Sequence, residues 1–235
     1  MSMSMIRNIR KSNASNASNV LNKNLGNTSL KLLKLAKSMY KGRDVSHGLN
    51  HVNRVRVNAL EIANKLNIED KNVIVKIETA ALFHDLWDHK YVSNTSSKFK
   101  EIKDNFKREL RNMYMSEHDI KDIEIIINNI SLSREMRYKE VYKVDLDLKH
   151  LQLIRDIVSD ADKLEMLGTT GINRIIQYQM HKYPETKSVE LKGIVKKVYD
   201  EKISKLLREE YIKTEPGREM AEPLMKEMEE YIKGF

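Results

Sequence analysis

Apolar residues recur three and four places apart through almost the whole stretch after residue 29, and this spacing is what most restricts the chain. Ile123, Ile126, Ile127 and Ile130 make one such stripe, and Ile154, Ile157, Val158 and Ala161 make another. Each stripe lies along one side of a helix, so each needs other helices to cover it. Few glycines and prolines interrupt them: eight and three in 235 residues. The pattern predicts an all-α fold, a single multi-helix bundle over residues 29–235. Ser29 opens the first helix as its N-cap, with Leu30, Leu33, Ala36, Lys37 and Tyr40 as its stripe. Further helices are expected over 44–66, 69–86, 99–113, 116–130, 151–167, 187–209 and 218–232. Gly168 and Gly171 bracket a turn. Val141 to Leu148 alternates briefly, which fits a short hairpin near 134–148.

Residues 1–28 differ in kind. They are rich in Met, Ser and Asn, with Asn-Ala-Ser repeated at 13–18, and lack apolar periodicity. Such a segment cannot offset the entropy of ordering and is expected to be a mostly disordered arm. Its charge explains the whole-chain value of +8. Nine of the 42 basic residues and none of the 34 acidic ones fall in residues 1–43, which leaves 33 basic against 34 acidic in the body. Nucleic acid is therefore a partner for the arm at most, since a nucleic-acid-binding body carries its own basic surplus. No apolar run reaches the length of a membrane span, so no membrane partner is expected. A cytoplasmic location follows, with organelle targeting by the arm as the alternative. Nothing in the sequence sets the oligomeric state.

Cysteine is absent, so a metal site can draw only on His, Asp and Glu. The run Thr79 to Lys90 carries His84-Asp85 at the end of a helix whose apolar residues (Ile74, Ile77, Ala81) place it in the core. Burying imidazole and carboxylate there is costly unless something pairs them. A hydrogen-bonded core histidine is one solution and a divalent ion is the other. Three helices supply suitable groups: His51 on the second, His84 and Asp85 on the third, and Asp160 or Asp162 on a late one. Helix bundles build metal sites from facing helices in this way. Two imidazoles and two carboxylates suit one divalent ion such as Mn, Mg, Fe, Ni, Co or Zn, with positions left for water and substrate. Asp160 and Asp162 are two apart and point to different sides of a helix, so both cannot easily serve.

The order His…His-Asp…Asp resembles the HD-domain metal-dependent phosphohydrolase superfamily, in its small stand-alone bacterial-type branch. Ser46-His47 to His51 and Arg54-Val55 match that branch's opening, and Ala80 to Lys90 match its Ala-Ala-Leu-x-His-Asp-x-x-Asp-x-Lys stretch. Ile130-Ser131-Leu132-Ser133, Asp160-Ala161-Asp162-Lys163-Leu164, Gly171 to Arg174, and Thr214 with Gly217-Arg218 and Ala221 complete the likeness, which runs from about residue 37 onward. The resemblance implies an HD-type domain with His51, His84, Asp85 and one aspartate as ligands. It favours Asp162, which follows Ala161 and precedes Lys163-Leu164, with Asp160 orienting a histidine. Lys163 and Glu165 depart from the family's usual Arg and Asp. Asp88 and His47 are the expected proton-handling residues, while Lys90, Arg54, Lys163 and Ser131 are expected to meet substrate phosphate. Trp87 fits core packing. The expected activity is hydrolysis of a phosphate ester or anhydride, of a nucleotide above all, by a metal-activated water. The alternative is a catalytically weak metal- or nucleotide-binding regulatory module whose basic arm contacts nucleic acid or another acidic partner.

Overall fold

Short polar side chains start several of the helices by accepting the backbone N–H groups that a first turn leaves unpaired. Asp70 accepts from Asn72 and Val73, Ser96 from Phe99, Ser116 from Asp119, and Thr214 from Gly217. The computed structural model describes residues 26–42, 48–87, 96–138 and 151–234. In chain order the helices are α1 (26–39), α2 (Leu49–Lys65), α3 (Lys71–Phe83), α4 (Ser97–Asn112), α5 (Glu117–Asn128) and α6 (Leu132–Tyr138). They continue with α7 (Gln152–Leu164), α8 (Gly168–Lys182), α9 (Ser188–Val198), a π-turn (Tyr199–Ile203), α10 (Lys205–Arg208) and α11 (Glu215–Lys233). No strand occurs among the described residues. The all-α expectation holds.

Helix α7 is the centre of the fold. It packs against α2, α3, α5 and α11. Every residue from Ile157 to Ala161 is buried, so no side of this segment faces solvent. Val52, Val55, Ala59 and Ile62 bring α2 against it, and Ile77, Ala80 and Ala81 bring α3. Full burial of each of the larger side chains contributes roughly 1.5–3 kcal/mol. Helices α8 and α9 pack on each other and on α11, forming a second wall.

Some expectations change at the edges. Helix α1 begins at residue 26, and Ser29 lies inside it, bonding Glu78 of α3 together with Arg56 of α2. Its inner stripe is Leu32, Ala36 and Tyr40, while Leu30 is 58% exposed. The packing stripe is thus offset from the one expected, because Glu78 fixes the rotation of α1 through Ser29. Gly168 and Gly171 both lie within α8 rather than around a turn before it. A Cβ at Gly171 would stand 2.0 Å from the Met166 carbonyl oxygen, so only glycine lets the α7–α8 corner close so tightly. Helix α6 replaces the start of the expected hairpin near 134–148, and residues 139–150 lie outside those described.

That short helix is held by charge. Glu135 is 2% exposed and pairs with Arg155 and with Lys163, whose Nζ lies 3.0 Å away. Arg155 also donates to the Asn129 carbonyl at 2.7 Å. Breaking such a buried network from one side costs about 3–5 kcal/mol, because the remaining charge has no solvent to turn to.

Candidate metal centre

Four side chains meet where the N-terminal end of α2, the C-terminal end of α3 and the last turn of α7 converge. His51 comes from the first turn of α2 and His84 caps α3. Asp85 follows at once, and Asp162 lies two residues before the end of α7. Nδ1 of His84 sits 2.8 Å from the Ala81 carbonyl oxygen. A carbonyl only accepts, so Nδ1 carries the proton and Nε2 of neutral His84 presents a lone pair. Nδ1 of His51 faces Glu165 Oε2 at 3.7 Å, so a carboxylate stands on that side of the ring at more than hydrogen-bond length. Arg54 holds that carboxylate in place with an Nε bond of 2.6 Å.

The two Nε2 atoms are 3.3 Å apart. His51 Nε2 is 3.5 Å from Asp85 and 3.4 Å from Asp162; His84 Nε2 is 3.5 Å from each. With neutral imidazoles, two nitrogen lone pairs and two carboxylates crowd together here, which is repulsive unless a positive charge lies among them. Donors held about 2.0–2.2 Å from a tetrahedral ion stand about 3.3–3.6 Å from one another, so the spacing fits a bound divalent cation. Without one, protons must serve. Burial opposes charging His51, but the hydrogen bonds of Asp162, Asp85 and Glu165 outweigh it and carry its pKa up to about 10. His84 moves up in the same way, burial being outweighed by Asp85 and Asp162. Both aspartates are pushed down, because the imidazoles beside them outweigh burial. A second acidic group, His118, Asp119 and Asp122, already has its cation: Lys76 reaches the two carboxylates at 2.8 and 2.6 Å.

The cluster lies in the wall of a cleft of about 510 Å³. Trp87, Ile127, Ile130, Met136, Ile175 and Val198 give the cleft an apolar lining. Asn128, Ser131, Ser133 and Gln179 are polar, and Arg174 and Lys202 are its cations.

No protein-family model and no curated protein matches the chain. Solved structures do. Bacillus subtilis YpgQ, crystallised in complex with ADP, is 21% identical with a TM-score of 0.64, over 90% of this chain and 94% of that one. An HD-superfamily hydrolase from Bacillus thuringiensis is 21% identical with a TM-score of 0.62, over 90% of this chain and 96% of that one. A Lactobacillus plantarum protein is 20% identical with a TM-score of 0.65, over 89% and 95%. The chain has the HD-domain fold.

Within that HD-domain fold, the residues expected from the sequence separate into groups. His51, His84, Asp85 and Asp162 come together. Asp160 does not join them. Its carboxylate accepts from Lys213 N–H at 3.0 Å, and from Thr214 N–H at 2.7 Å and Oγ1 at 2.8 Å. It therefore anchors the start of α11 and orients no histidine; two residues along a helix put it on the side away from the cluster. Glu165, three residues past Asp162, has the place beside His51 instead.

Lys163 is fully buried and does not line the cleft, contrary to the phosphate contact expected of it. Its Nζ donates to Ser159 Oγ at 2.9 Å and to the Tyr211 carbonyl at 2.6 Å, besides pairing with Glu135. Burial draws its pKa down to about 7, against the pull of Asp160. Arg54 likewise serves Glu165 rather than the cleft. Ser131 lines the cleft, and so does Trp87, which is also core: it stacks edgewise on Phe106 and donates to Asn128 at 3.0 Å. His47, Asp88 and Lys90 lie outside the described residues.

Sequence reasoning missed Glu165, Arg174 and Lys202. The first had a signal: helical spacing puts residue 165 on the same side of α7 as 162. Arg174 stood in the Gly171 to Arg174 stretch of the resemblance without being given a role, and Lys202 had no signal, since a basic residue on a polar helix side reads as ordinary surface.

Proposed function

We propose that this protein is a divalent-metal-dependent phosphohydrolase acting on nucleotides. One observation carries the reading: the Nε2 atoms of His51 and His84 lie 3.3 Å apart and each stands 3.4–3.5 Å from Asp85 and from Asp162, beside an open cleft. These four residues would hold the ion. When bound, it supplies a Lewis acid and lowers the pKa of a coordinated water. Glu165 keeps the Nδ1 proton of His51 on the far side, so that Nε2 stays a donor to the metal. Arg174, Ser131 and Ser133 lie in the same cleft and bind the phosphate oxygens. Asp88 and His47 are the proposed proton acceptor and donor, with Lys90 as a further phosphate contact. The apolar lining suits a base and sugar, and the cleft is within the usual size of small-molecule sites. That the similar YpgQ was crystallised with ADP supports a nucleotide.

The test is a metal analysis of purified protein, followed by phosphate release from a panel of nucleoside mono-, di- and triphosphates. His84→Ala and Asp85→Ala should lose both metal and activity. Wild-type protein that holds stoichiometric metal yet cleaves no member of the panel would sink the proposal and favour a regulatory binding module.

A further inference from the structure

We infer that Lys202 is a specificity-determining residue of this site and binds a second anionic group of the substrate, the phosphate next to the one at the metal cluster. The inference takes its substrate class from the phosphohydrolase reading above. Its own support is the π-turn Tyr199–Ile203, where the Ser204 N–H bonds the Tyr199 carbonyl five residues back at 2.9 Å. Such turns insert one residue into helical register and are frequent at functional sites.

The effect here follows from which residues are buried. Val195 and Leu206 are fully buried. Helical spacing puts both residue 202, seven places after the first and four before the second, and residue 203, eight after and three before, near their side. In the π-turn Ile203, 0% exposed, takes the buried place, and Lys202 is exposed on the edge of the cleft. Tyr199 fixes the turn by donating its hydroxyl to Glu229 of α11 at 2.6 Å.

Among the described residues the Lys202 ammonium has neither an ion pair nor a hydrogen bond, whereas its neighbours Lys196 and Lys197 pair with Asp200 and Glu201. The π-turn packs on α9 and α10, and α9 packs on α8 and α11. Lys202 thus lines the cleft from an element that packs on α9 and α10 rather than from the three helices that carry the cluster. Arg174 lies on α8 and donates to the Glu165 carbonyl at 3.3 Å, which puts it on the cluster side. Two cations lining one cleft, Arg174 bonded beside the cluster and Lys202 on the π-turn after α9, suit a chain of phosphates better than a single one.

Trp87 is the one tryptophan in the chain and lines this cleft, so its fluorescence reports binding without turnover. Stopped-flow titrations with Mn²⁺ compare ADP and AMP. Wild type should bind ADP more tightly. Lys202→Met should weaken ADP by about tenfold and AMP by under about threefold, and Lys202→Arg should recover most of the loss. Lys197→Met, a cation outside the cleft, should change neither. Equal loss for both ligands, no loss, or the same loss from Lys197→Met would overturn the assignment. Phosphate release measured alongside separates the two readings. Binding that depends on Lys202 without hydrolysis sinks the enzyme and keeps the lysine, while hydrolysis indifferent to Lys202→Met does the reverse. Failure of wild type to bind ADP overturns both.

Discussion

Asp160 and Asp162 sit two residues apart on α7, and neutralising each should produce opposite losses. In Asp160→Asn the side chain keeps one acceptor oxygen, which can serve Thr214 N–H and Oγ1. The amide NH₂ then meets the Lys213 N–H, donor against donor, where the carboxylate accepted at 3.0 Å. Three donors to a charged acceptor at about 1.5 kcal/mol each would suggest a loss of about 4.5 kcal/mol. Asparagine retains part of this. It also removes a cost, because burial holds the Asp160 pKa above the usual carboxylate value in spite of Lys163 and the backbone donors around it. The net loss should be about 2–3 kcal/mol, which moves a urea midpoint down by about 1 M. Metal stoichiometry of the folded protein should stay near that of wild type. Asp162→Asn should instead weaken Mn²⁺ binding by at least about a hundredfold, since it removes a charged ligand rather than a supporting contact. Urea melts in chelator and metal titrations by calorimetry read the two effects separately. If Asp160→Asn emptied the site while Asp162→Asn left it filled, the assignment of the two carboxylates would be wrong.

Metal binding should strengthen as pH rises. His51, with its pKa raised to about 10, holds a proton in the metal-free site at neutral pH, and an incoming ion must displace it. The Kd for Mn²⁺ should thus fall about tenfold per pH unit from about pH 6 to about pH 9, and a flat profile by calorimetry would mean the imidazoles are already neutral. Glu165→Gln should keep the fold by circular dichroism but lower metal affinity about tenfold, by loosening His51; unchanged affinity would dismiss Glu165 as an orienting group. Gly217→Ala would bring a Cβ to 2.7 Å from Thr214 Oγ1 and 2.9 Å from Asp160, so its Tm should drop by about 4–8 °C. An unchanged Tm in calorimetric melting would show that the α7–α11 junction has slack.

What could be seen beforehand divides along physical lines. Stripes such as Ile123, Ile126, Ile127 and Ile130 give helices directly, because burial of one side repeats with the backbone period. His51, His84, Asp85 and Asp162 were readable as a set through the resemblance to the HD-domain superfamily, which also favoured Asp162 over Asp160. Lys163 misled for the opposite reason. A lysine beside a site residue reads as a phosphate contact, and only the three-dimensional arrangement shows Glu135, Ser159 and Tyr211 surrounding it. Asp160 was ambiguous until its partners 53 and 54 residues away were in place. The stripe of α1 was offset for a similar reason: Ser29 answers to Glu78, 49 residues on. Lys202 lies in a π-turn, and one inserted residue leaves no compositional trace.

The fastening of α7 has a consequence for how the protein is made. Asp160 is complete only when Lys213 and Thr214 reach it, and Lys163 only when the Tyr211 carbonyl does, 48 residues later. During synthesis at about 5–20 residues per second, α7 would leave the ribosome several seconds before its partners. In that interval Asp160 would lack its donors from Lys213 and Thr214, and Lys163, next to Asp162, would have Glu135 and Ser159 without the Tyr211 carbonyl. The proposed ligand set is thus timed by translation: the nascent chain carries His51, His84, Asp85 and Asp162 before residues 213 and 214 are there to anchor α7.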